Sequence, residues 1–404
     1  MASRGQIPGQ SVEPHHILAF NSGSSSLKFA LYEFSNSSER LLVRGEAEDV
    51  GAPSAHLRLR TSDGSSIVNQ PRPISERQDA LQMALDELKK GKYATPSAIG
   101  HRVVNGGQHY AAPKKITPQV LTDLRNLIPL APLHLPAEIK IMEAVASQLP
   151  QIPQVACFDT AFHRRLPELA QRFPLPRKLF DEGIRRYGFH GLSYEYALQE
   201  LGLAAQRQRL IIAHLGNGAS LAAIKDGLPA DTSMGLTPTG GIMMGTRTGD
   251  LDPGILIYLL RERRYDAAKL EYLVDSESGL LGVSELTSDM KALLAKRDSD
   301  PRAAEAIAMF CRSVRKQIGA FAAVLGGVDV LVFTGGIGEH APAVREEICR
   351  DLGHLGVRID SAKNSAAKDV ISAAESACVV RVVATNEELM IARHTRSVIF
   401  GGTN

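Results

Sequence analysis

Two segments of the chain show the same succession of apolar and polar positions. Each is an apolar run, then a turn rich in Gly, Ser and Asn, then a second apolar run, and the copies lie 194 positions apart, from 17 to 211. The residues that coincide on this shift are Ile17 with Ile211, Ala19 with Ala213, Ser26 with Ser220 and Leu27 with Leu221. Alternation of apolar and polar residues after the first turn is typical of a half-buried strand. The pattern therefore predicts two strand–turn–strand hairpins.

The small residues at both turns indicate what the hairpins do. Turns without bulky side chains let backbone N–H groups approach an anion closely. We therefore expect the two hairpins to clamp a polyphosphate. Two ordinary hairpins with glycine turns are the alternative, and the repetition makes it the less favoured one.

Helices are predicted where apolar residues recur at helical spacing behind a capping residue. Ser75, with Gln78 three residues later, has capping-box spacing and predicts a helix start. The apolar face of that helix is Ala80, Leu81, Ala84, Leu85 and Leu88. Thr117-Pro118 predicts a second helix start, and residues 301–325 a long helix.

Further strands are predicted at 98–100, at 152–158 ending at Asp159, and at 328–333, with short strands and loops at 58–73. The strand at 328–333 runs into Thr334-Gly335-Gly336-Ile337-Gly338-Glu339. A strand that feeds a glycine-rich turn opening a helix is typical of a nucleotide contact, although these letters match neither the Walker loop nor the dinucleotide fingerprint. Two halves of mixed strands and helices predict two α/β domains around a cleft.

Composition narrows the class of protein. At 404 residues the chain suggests two domains. A net charge of +2, 44% apolar and 22% charged residues predict a globular protein without nucleic-acid or membrane partners. The first 14 residues hold no apolar signal-peptide core and are expected to be a flexible tail. The four cysteines have neither metal-ligand nor redox spacing, which favours a reduced, cytoplasmic setting.

Candidate chemistry lies in or beside the glycine-rich turns. Phosphoryl transfer needs arginine forks, carboxylate-held Mg²⁺ and backbone amides, because negative charge spreads over the transferred group. Arg102 precedes Gly106-Gly107, and Arg247 lies in the small-residue segment 243–250. A structural ion pair would explain a single arginine, whereas two in turns favour anion binding. Asp159 ends a strand, where a helix cap is the alternative role.

The remaining polar candidates are weaker by themselves. Glu387 and Glu388 follow another strand end, and one of the pair is expected to be a helix-start carboxylate. Among the 12 histidines, His190 is the best catalytic candidate, and no pair has the spacing of zinc ligands. The basic stretch 164–186 is interpreted as a solvated face.

Taken in order, these blocks make the chain resemble the acetate kinase family from about residue 17 to about residue 395. The matching blocks are Asn21-Ser22-Gly23-Ser24-Ser25-Ser26-Leu27-Lys28, Gly100-His101-Arg102-Val103-Val104, Pro132-Leu133-His134, Phe158-Asp159-Thr160-Ala161-Phe162-His163, Tyr187-Gly188-Phe189-His190-Gly191, His214-Leu215-Gly216-Asn217-Gly218, Met244-Gly245-Thr246-Arg247, Thr334-Gly335-Gly336-Ile337-Gly338-Glu339 and Thr385-Asn386-Glu387-Glu388.

The resemblance implies two duplicated actin-like, ribonuclease H-like α/β domains around a nucleotide cleft. It implies an N-terminal domain of residues 1–160 with 388–404 and a nucleotide-binding domain of residues 161–387. The implied reaction is reversible transfer of the ATP γ-phosphoryl group to acetate, with Mg²⁺ or alternatively Mn²⁺, giving acetyl phosphate and ADP in a cytoplasmic homodimer.

The resemblance also implies a role for each matching residue. Asp159, Arg102, His190 and Arg247 are expected to be catalytic, and Asn21 and Glu387 to hold the metal. The nucleotide is expected to meet Lys28, His214, Leu215, Gly216, Asn217, Gly218, Asp289, Met290, Lys291, Gly335, Gly336, Ile337, Gly338 and Glu339. The acyl pocket is expected to comprise Arg102, Val104, Leu133, His134, Phe189 and Pro238.

Some positions depart from the family pattern, and they keep alternatives open. Asn105 stands where His is usual, Leu135 where Asn is usual, and Lys291 where Arg is usual, while Leu192 and Tyr194 replace Thr and His, and Thr239-Gly240 replaces Leu-Glu. Several of these flank the acyl pocket, so a propionate or butyrate kinase is an alternative. A slow ATPase switch that binds protein partners is an alternative from another class, and the apolar pocket disfavours a sugar kinase.

Overall fold

The computed structural model describes residues 13–23, 26–35, 38–205, 207–366 and 368–401, without the side chains of 203–205. Residues 1–12 of the expected tail therefore lie outside the described residues, as do Ser24 and Ser25 of the first turn. No helix in the described ranges is both long and apolar enough to span a membrane.

The strands of the described chain form two separate sheets. Their bounds are β1 His15–Ser22, β2 Leu27–Phe34, β3 Glu39–Glu48, β4 His56–Thr61, β5 Ser66–Pro71, β6 Ala98–Val103, β7 Lys114–Lys115, β8 Gln154–Phe158, β9 Arg209–Leu215, β10 Ala219–Lys225, β11 Leu228–Thr232, β12 Val330–Thr334 and β13 Val379–Val382.

Helices follow or separate these strands. Their bounds are α1 Arg77–Lys90, α2 Pro118–Asn126, α3 Leu135–Gln148, α4 Glu168–Gln171, α5 Arg177–Asp181, α6 Gly191–Ala205, α7 Pro253–Glu262, α8 Ala267–Ser276, α9 Gly279–Ser284, α10 Met290–Lys296, α11 Pro301–Leu325, α12 Gly335–His340, α13 Pro342–Cys349, α14 Ser361–Ser365 and α15 Glu387–Phe400. Three short 3-10 helices occupy Ile128–Leu130, Phe162–Arg165 and Gly353–Leu355.

The first of two compact units comprises residues 1–103, 112–157 and 388–404. Its sheet has the order β5-β4-β3-β2-β1-β6-β8-β7, in which β1 pairs antiparallel with β2 and parallel with β6. Buried residues of β1, β2 and β6 pack with those of α1 and α3 in one apolar cluster. Residues of α15 contact β6 so closely at Gly100 that a Cβ there would overlap Thr395 Oγ1.

The second unit comprises residues 104–111 and 158–387. Its sheet has the order β11-β10-β9-β12-β13, with β9 antiparallel to β10 and β12 parallel to both β9 and β13. Apolar residues of α6 and of strands β9, β10 and β12 form a buried cluster. Helix α11 packs along β9 and β10.

Both predicted hairpins are confirmed as antiparallel strand pairs. Strand β1 pairs with β2 in the first unit, and β9 pairs with β10 in the second. The long helix at 301–325 and the helix capped by Thr117 are also confirmed. The predicted cap of α1 is wrong by one residue. The capping box uses Glu76 and Asp79, and Asp79 Oδ2 accepts from the N–H groups of Ser75 at 3.1 Å and Glu76 at 2.9 Å.

Candidate active site

Three chain segments meet at one edge of the second unit's sheet. Strands β9, β12 and β13 are parallel neighbours, so their carboxyl ends lie at the same edge, where open α/β sheets bind ligands. The segments at these ends are 214–218, which includes the last two residues of β9, then 335–339 and 385–387, all of which the sequence analysis had singled out. Three segments far apart in the chain are thereby brought together.

Close backbone packing joins the first two segments, 214–218 and 335–339. Gly335 has a φ of +77°, and a Cβ on it would lie 2.8 Å from the carbonyl oxygen of Leu215. Only glycine fits this left-handed position without strain. The carboxylate of Glu339 accepts from the N–H groups of Gly335 and Thr385, each at 3.0 Å, which joins segment 335–339 to segment 385–387.

A buried arginine holds segment 335–339 in place. Arg345 of α13 is fully buried. Its guanidinium donates to the carbonyl oxygens of Gly338 at 2.8 Å and Glu339 at 2.9 Å, and to the side-chain and backbone oxygens of Asn364 at 2.8 and 2.9 Å. Burial lowers the pKa of this guanidinium, yet arginine stays charged in proteins. Two of its four bonds therefore hold segment 335–339 with charge-assisted contacts, and the other two tie the guanidinium to Asn364.

Two predicted catalytic residues converge on the turn between β9 and β10. An ideal Cβ on Gly218 would lie 3.5 Å from His190 Nε2 and 3.5 Å from Arg247 Nη1. The ring of His190 stacks on that of His214, with centroids 4.3 Å apart. His190, His214, Gly218 and Arg247 thus form one cluster, which we call the convergence cluster.

The segment that carries Arg247 is docked onto the same turn. The N–H of Gly245 donates to Asn217 O at 2.9 Å, and a Cβ on Gly245 would overlap Asn217 Oδ1. Arg247 Nη1 donates to Pro238 O at 3.2 Å. These bonds set the guanidinium beside the turn, and they place Pro238, an expected pocket residue, beside Arg247.

Hydroxyl groups orient both histidines of the convergence cluster. Ser220 Oγ lies 2.8 Å from His190 Nδ1, and Ser193 Oγ lies 2.8 Å from His214 Nδ1. Ser193 also bonds Thr385 Oγ1 at 2.9 Å, which connects α6 to the loop after β13. Sequence reasoning missed the roles of Ser193 and Ser220, although Ser220 was marked by the internal repeat.

Three other predicted residues of this unit are buried. Asp159 is fully buried just after β8, and its carbonyl accepts from Gly191 N at 3.1 Å, immediately after His190. Val104 and Phe189 are 2% and 1% exposed. The carbonyl of Phe189 accepts from His163 Nε2 at 2.9 Å, and burial lowers the pKa of His163 to about 4. A neutral His163 therefore anchors the residue before His190.

In the first unit, predicted residues gather at the ends of β1 and β6. Asn21 Nδ2 donates to Glu388 Oε1 at 3.0 Å, and Arg102 Nη1 lies 3.4 Å from Ser22 O. Lys28 is half exposed and pairs with Glu46 at 3.6 Å. The carboxylate that the described contacts bring to Asn21 is that of Glu388, a role the sequence analysis did not assign.

The other predicted residues sit near helix ends. His134 precedes α3, and Leu133 before it is 47% exposed. Asp289 caps α10 and accepts from Lys291 N at 3.0 Å, while Met290 is buried and Lys291 is exposed. Helix capping alone accounts for Asp289 in this structure.

The departures from the family pattern have local explanations. Asn105 is fully buried and its Oδ1 accepts from Gly107 N at 2.8 Å. Thr239 Oγ1 donates to the Asp275 carboxylate. Leu135, Leu192 and Tyr194 are buried, so these three residues contribute to packing.

Comparison with known proteins identifies a family that spans most of the chain. The family described as the "Acetokinase family" matches residues 16–393. An acetate kinase of Rhodopseudomonas palustris is 44% identical over 396 residues, which cover 96% of this chain and 99% of the relative. A propionate kinase of Citrobacter rodentium is 40% identical over 399 residues, covering 96% and 98%.

Solved structures agree with these sequences. The crystal structure of Porphyromonas gingivalis acetate kinase has a TM-score of 0.83 and 40% identity, covering 95% of this chain and 100% of that one. A propionate kinase of Francisella tularensis has a TM-score of 0.88 and 38% identity with the same coverage. The expected fold class, with actin-like α/β domains, is confirmed.

Proposed function

Because this chain belongs to the acetokinase family, we propose that it transfers the γ-phosphoryl group of ATP to acetate, reversibly and directly, forming acetyl phosphate and ADP. It is a phosphotransferase that acts on a carboxylate, and ATP or ADP is its co-substrate. The observation that carries the proposal is the convergence of His190 Nε2 and Arg247 Nη1 on Gly218.

The chemistry explains why such a cluster is needed. Carboxylate and ATP are both anions, and the phosphoryl group in transfer spreads negative charge over three equatorial oxygens. Two N–H donors fixed before the reaction stabilise that charge without reorganisation. Arg247 and His190 are proposed to donate to the transferred group, while backbone N–H groups of 216–218 hold the phosphates of ATP and Arg102 binds the carboxylate. Asp159 is proposed to position the acetate oxygen or to organise the metal.

Magnesium is proposed as the essential ion, with Mn²⁺ as its alternative. Asn21 Nδ2 donates to Glu388 Oε1 at 3.0 Å, so the two side chains are neighbours, and amide and carboxylate oxygens are hard donors that Mg²⁺ takes. No group of three or more His, Cys, Asp or Glu able to hold a metal occurs among the described residues. This fits an ion bound by one or two protein oxygens and by substrate phosphates. Glu387 remains the second candidate carboxylate.

A hydroxylamine trap tests the reaction. The protein with ATP and Mg²⁺ should yield acyl hydroxamate only when a carboxylate is added. Release of ADP without hydroxamate would overturn the proposal and support the ATPase switch. Arg247→Ala should lower turnover by about 10²–10³, the loss on removing one transition-state donor. Arg58→Ala, which removes an exposed guanidinium paired with Glu48 at 3.0 Å, should leave turnover unchanged.

Propionate is the second candidate substrate, and it is favoured by the similarity to propionate kinases of 38–40% identity. One methylene in an apolar pocket changes discrimination by only about 1–3 kcal/mol. Values of kcat/KM for two-, three- and four-carbon acids separate the candidates. Acetate should have the highest value, and a higher value for propionate would reassign the substrate.

A homodimer through α7 and α8 is also proposed. Neither helix has a buried residue, and Ile257, Tyr258 and Tyr272 are 47%, 51% and 58% exposed. Large apolar side chains exposed on two consecutive helices are typical of an interaction site. Light scattering should give a dimer for the protein and a monomer for Ile257→Asp. The matched control Leu169→Asp, at a leucine that is 90% exposed on α4, should stay dimeric.

The state of the cysteines supports a cytoplasmic location for this enzyme. None of the four forms a disulfide in the described residues and all are buried, and burial raises the pKa of Cys311 and of Cys378 to about 12. Cysteines that form no disulfide are typical of proteins in a reducing compartment.

A further inference from the structure

Tyr194 occupies an unusual place for a tyrosine hydroxyl. It lies in α6, is fully buried in the apolar cluster of the second unit, and stands where the family usually has His. Its hydroxyl is 2.5 Å from Ser220 Oγ. Burial, with the nearby carboxylate of Asp159, raises the pKa of Tyr194. The side chain is therefore a neutral phenol with one proton to donate.

Ser220 connects this phenol to a catalytic candidate. Its Oγ, also buried, lies 2.8 Å from His190 Nδ1. The three groups form a continuous chain from Tyr194 through Ser220 to His190, which we call the hydroxyl relay. Ser220 lies in strand β10, His190 directly precedes α6, and Tyr194 lies in the first turn of α6.

The number of protons on the three groups sets the direction of the hydrogen bonds in the relay. A buried hydroxyl that does not donate loses a hydrogen bond without compensation from water. Tyr194 meets this requirement by donating to Ser220, and Ser220 meets it by donating to His190 Nδ1. In the opposite arrangement, with Nδ1–H donating to Ser220, one hydroxyl proton has no acceptor in the relay: it is the serine proton if Tyr194 still donates to Oγ, and the phenol proton if Ser220 donates to Tyr194. The relay therefore favours Nδ1 as acceptor.

The consequence appears at the other ring nitrogen. A neutral imidazole carries one proton, so an accepting Nδ1 puts that proton on Nε2. His190 Nε2 is the atom that faces Gly218 beside Arg247 Nη1. We infer that Tyr194 is a positioning residue that, through Ser220, keeps His190 in the Nε2–H tautomer, so that a neutral ring still donates to the transferred phosphoryl group. The role of the donor rests on the proposed function, whereas the tautomer does not.

The charged and titratable groups around the ring agree with this role. Arg247 supplies the positive charge of the convergence cluster, and His214 stacks on the face of the His190 ring. Asp159 lies on the Tyr194 side of the relay. A histidine at position 194 could donate, accept or become charged, whereas a phenol with a raised pKa can only donate its proton or accept. With tyrosine instead of histidine at position 194, the relay therefore has one protonation state.

Nitrogen-15 NMR of labelled histidine tests the tautomer directly. The His190 signals, assigned by their loss in His190→Asn, should show a protonated Nε2 and an unprotonated Nδ1 in the wild type above the pH at which the ring is charged. A wild-type ring protonated at Nδ1 would overturn the inference, whatever the kinetics. This measurement needs neither a substrate nor a variant of Tyr194.

Kinetics test the consequence. Tyr194→Phe removes one oxygen and keeps the packed ring, so kcat should fall about 3- to 10-fold with KM for ATP unchanged, the effect of one hydrogen bond. Tyr194→Phe in a Ser220→Ala background should have no further effect, because both changes break the same relay. Tyr187→Phe is the matched control, since its buried hydroxyl donates instead to Gly183 O at 3.0 Å. It should retain wild-type kcat.

The outcomes separate this inference from the proposed function. Additive losses in the double variant, or an equal loss in Tyr187→Phe, would overturn the relay while leaving the kinase assignment intact. Absence of acyl hydroxamate from the wild type would overturn the kinase, and the NMR tautomer would still decide the relay.

Discussion

Replacement of Gly218 by alanine tests the convergence cluster with a single methyl group. Gly218 does not have a positive φ, so alanine is compatible with its backbone. The new Cβ would lie 3.5 Å from His190 Nε2 and 3.5 Å from Arg247 Nη1, which is ordinary van der Waals contact. We therefore expect Gly218→Ala to fold with nearly unchanged stability.

Activity should respond very differently. A phosphoryl oxygen that accepts from these two nitrogens sits about 2.7–3.2 Å from each of them, and a methyl group in front of both takes part of that space. An oxygen displaced to about 3.6 Å is no longer hydrogen-bonded. Loss of one such donor corresponds to about 10²–10³ in kcat, or about 3–4 kcal/mol. The loss should appear in kcat more than in KM for acetate.

The assay is acyl hydroxamate formation, with urea unfolding of the same sample. Gly319→Ala is the matched control, because its Cβ meets nothing within 4 Å in the middle of α11 and alanine favours helix. A Gly218→Ala enzyme with normal unfolding and kcat within threefold of wild type would refute the conclusion that the transferred group sits in front of Gly218.

Two further predictions concern buried groups. Arg345→Met should lower the free energy of unfolding by about 2–4 kcal/mol, because oxygens on Gly338, Glu339 and Asn364 lose their donor. It should also raise KM for ATP. Unchanged urea unfolding and an unchanged KM would contradict the conclusion that Arg345 holds segment 335–339 in place. Burial lowers the pKa of His101 and of His163 from 6.5 to about 4, so the unfolded chain binds more protons between these values and stability falls as pH drops through 6.5. Each histidine should lower the free energy of unfolding by about 2 kcal/mol between pH 7.5 and pH 5. Urea unfolding at these two pH values measures the change, and an unfolding free energy that does not change with pH would contradict the burial of neutral histidines.

Local pattern was enough to predict much of this fold. The two hairpins and α11 follow from periodicity and turn residues within a few positions of each other. The edge where 214–218 and 335–339 meet could also be expected, because parallel strands end together. The cap of α1 was missed by one residue, since Glu76 with Asp79 has the same capping-box spacing as Ser75 with Gln78.

Contacts made by the tertiary structure could not be predicted in this way. Ser220 and Tyr194 lie 26 positions apart and meet only because α6 packs on the sheet. Arg345 would be interpreted as a surface residue from its sequence, because an arginine is almost never fully buried. Its partner Asn364 carries no signal either. Such pairs depend on burial, which single residues do not encode.

The close contact of α15 with Gly100 bears on how the protein is made. All of residues 158–387 leave the ribosome after β6 and before the helix that covers it. The apolar surface of the first unit's sheet therefore stays in contact with solvent or a chaperone until α15 is synthesised. Meanwhile the second unit, which is nearly continuous in sequence, can complete its own core. Biogenesis is thus expected to proceed from the carboxyl-terminal half, and premature termination before α15 should yield a polypeptide that aggregates through its amino-terminal strands.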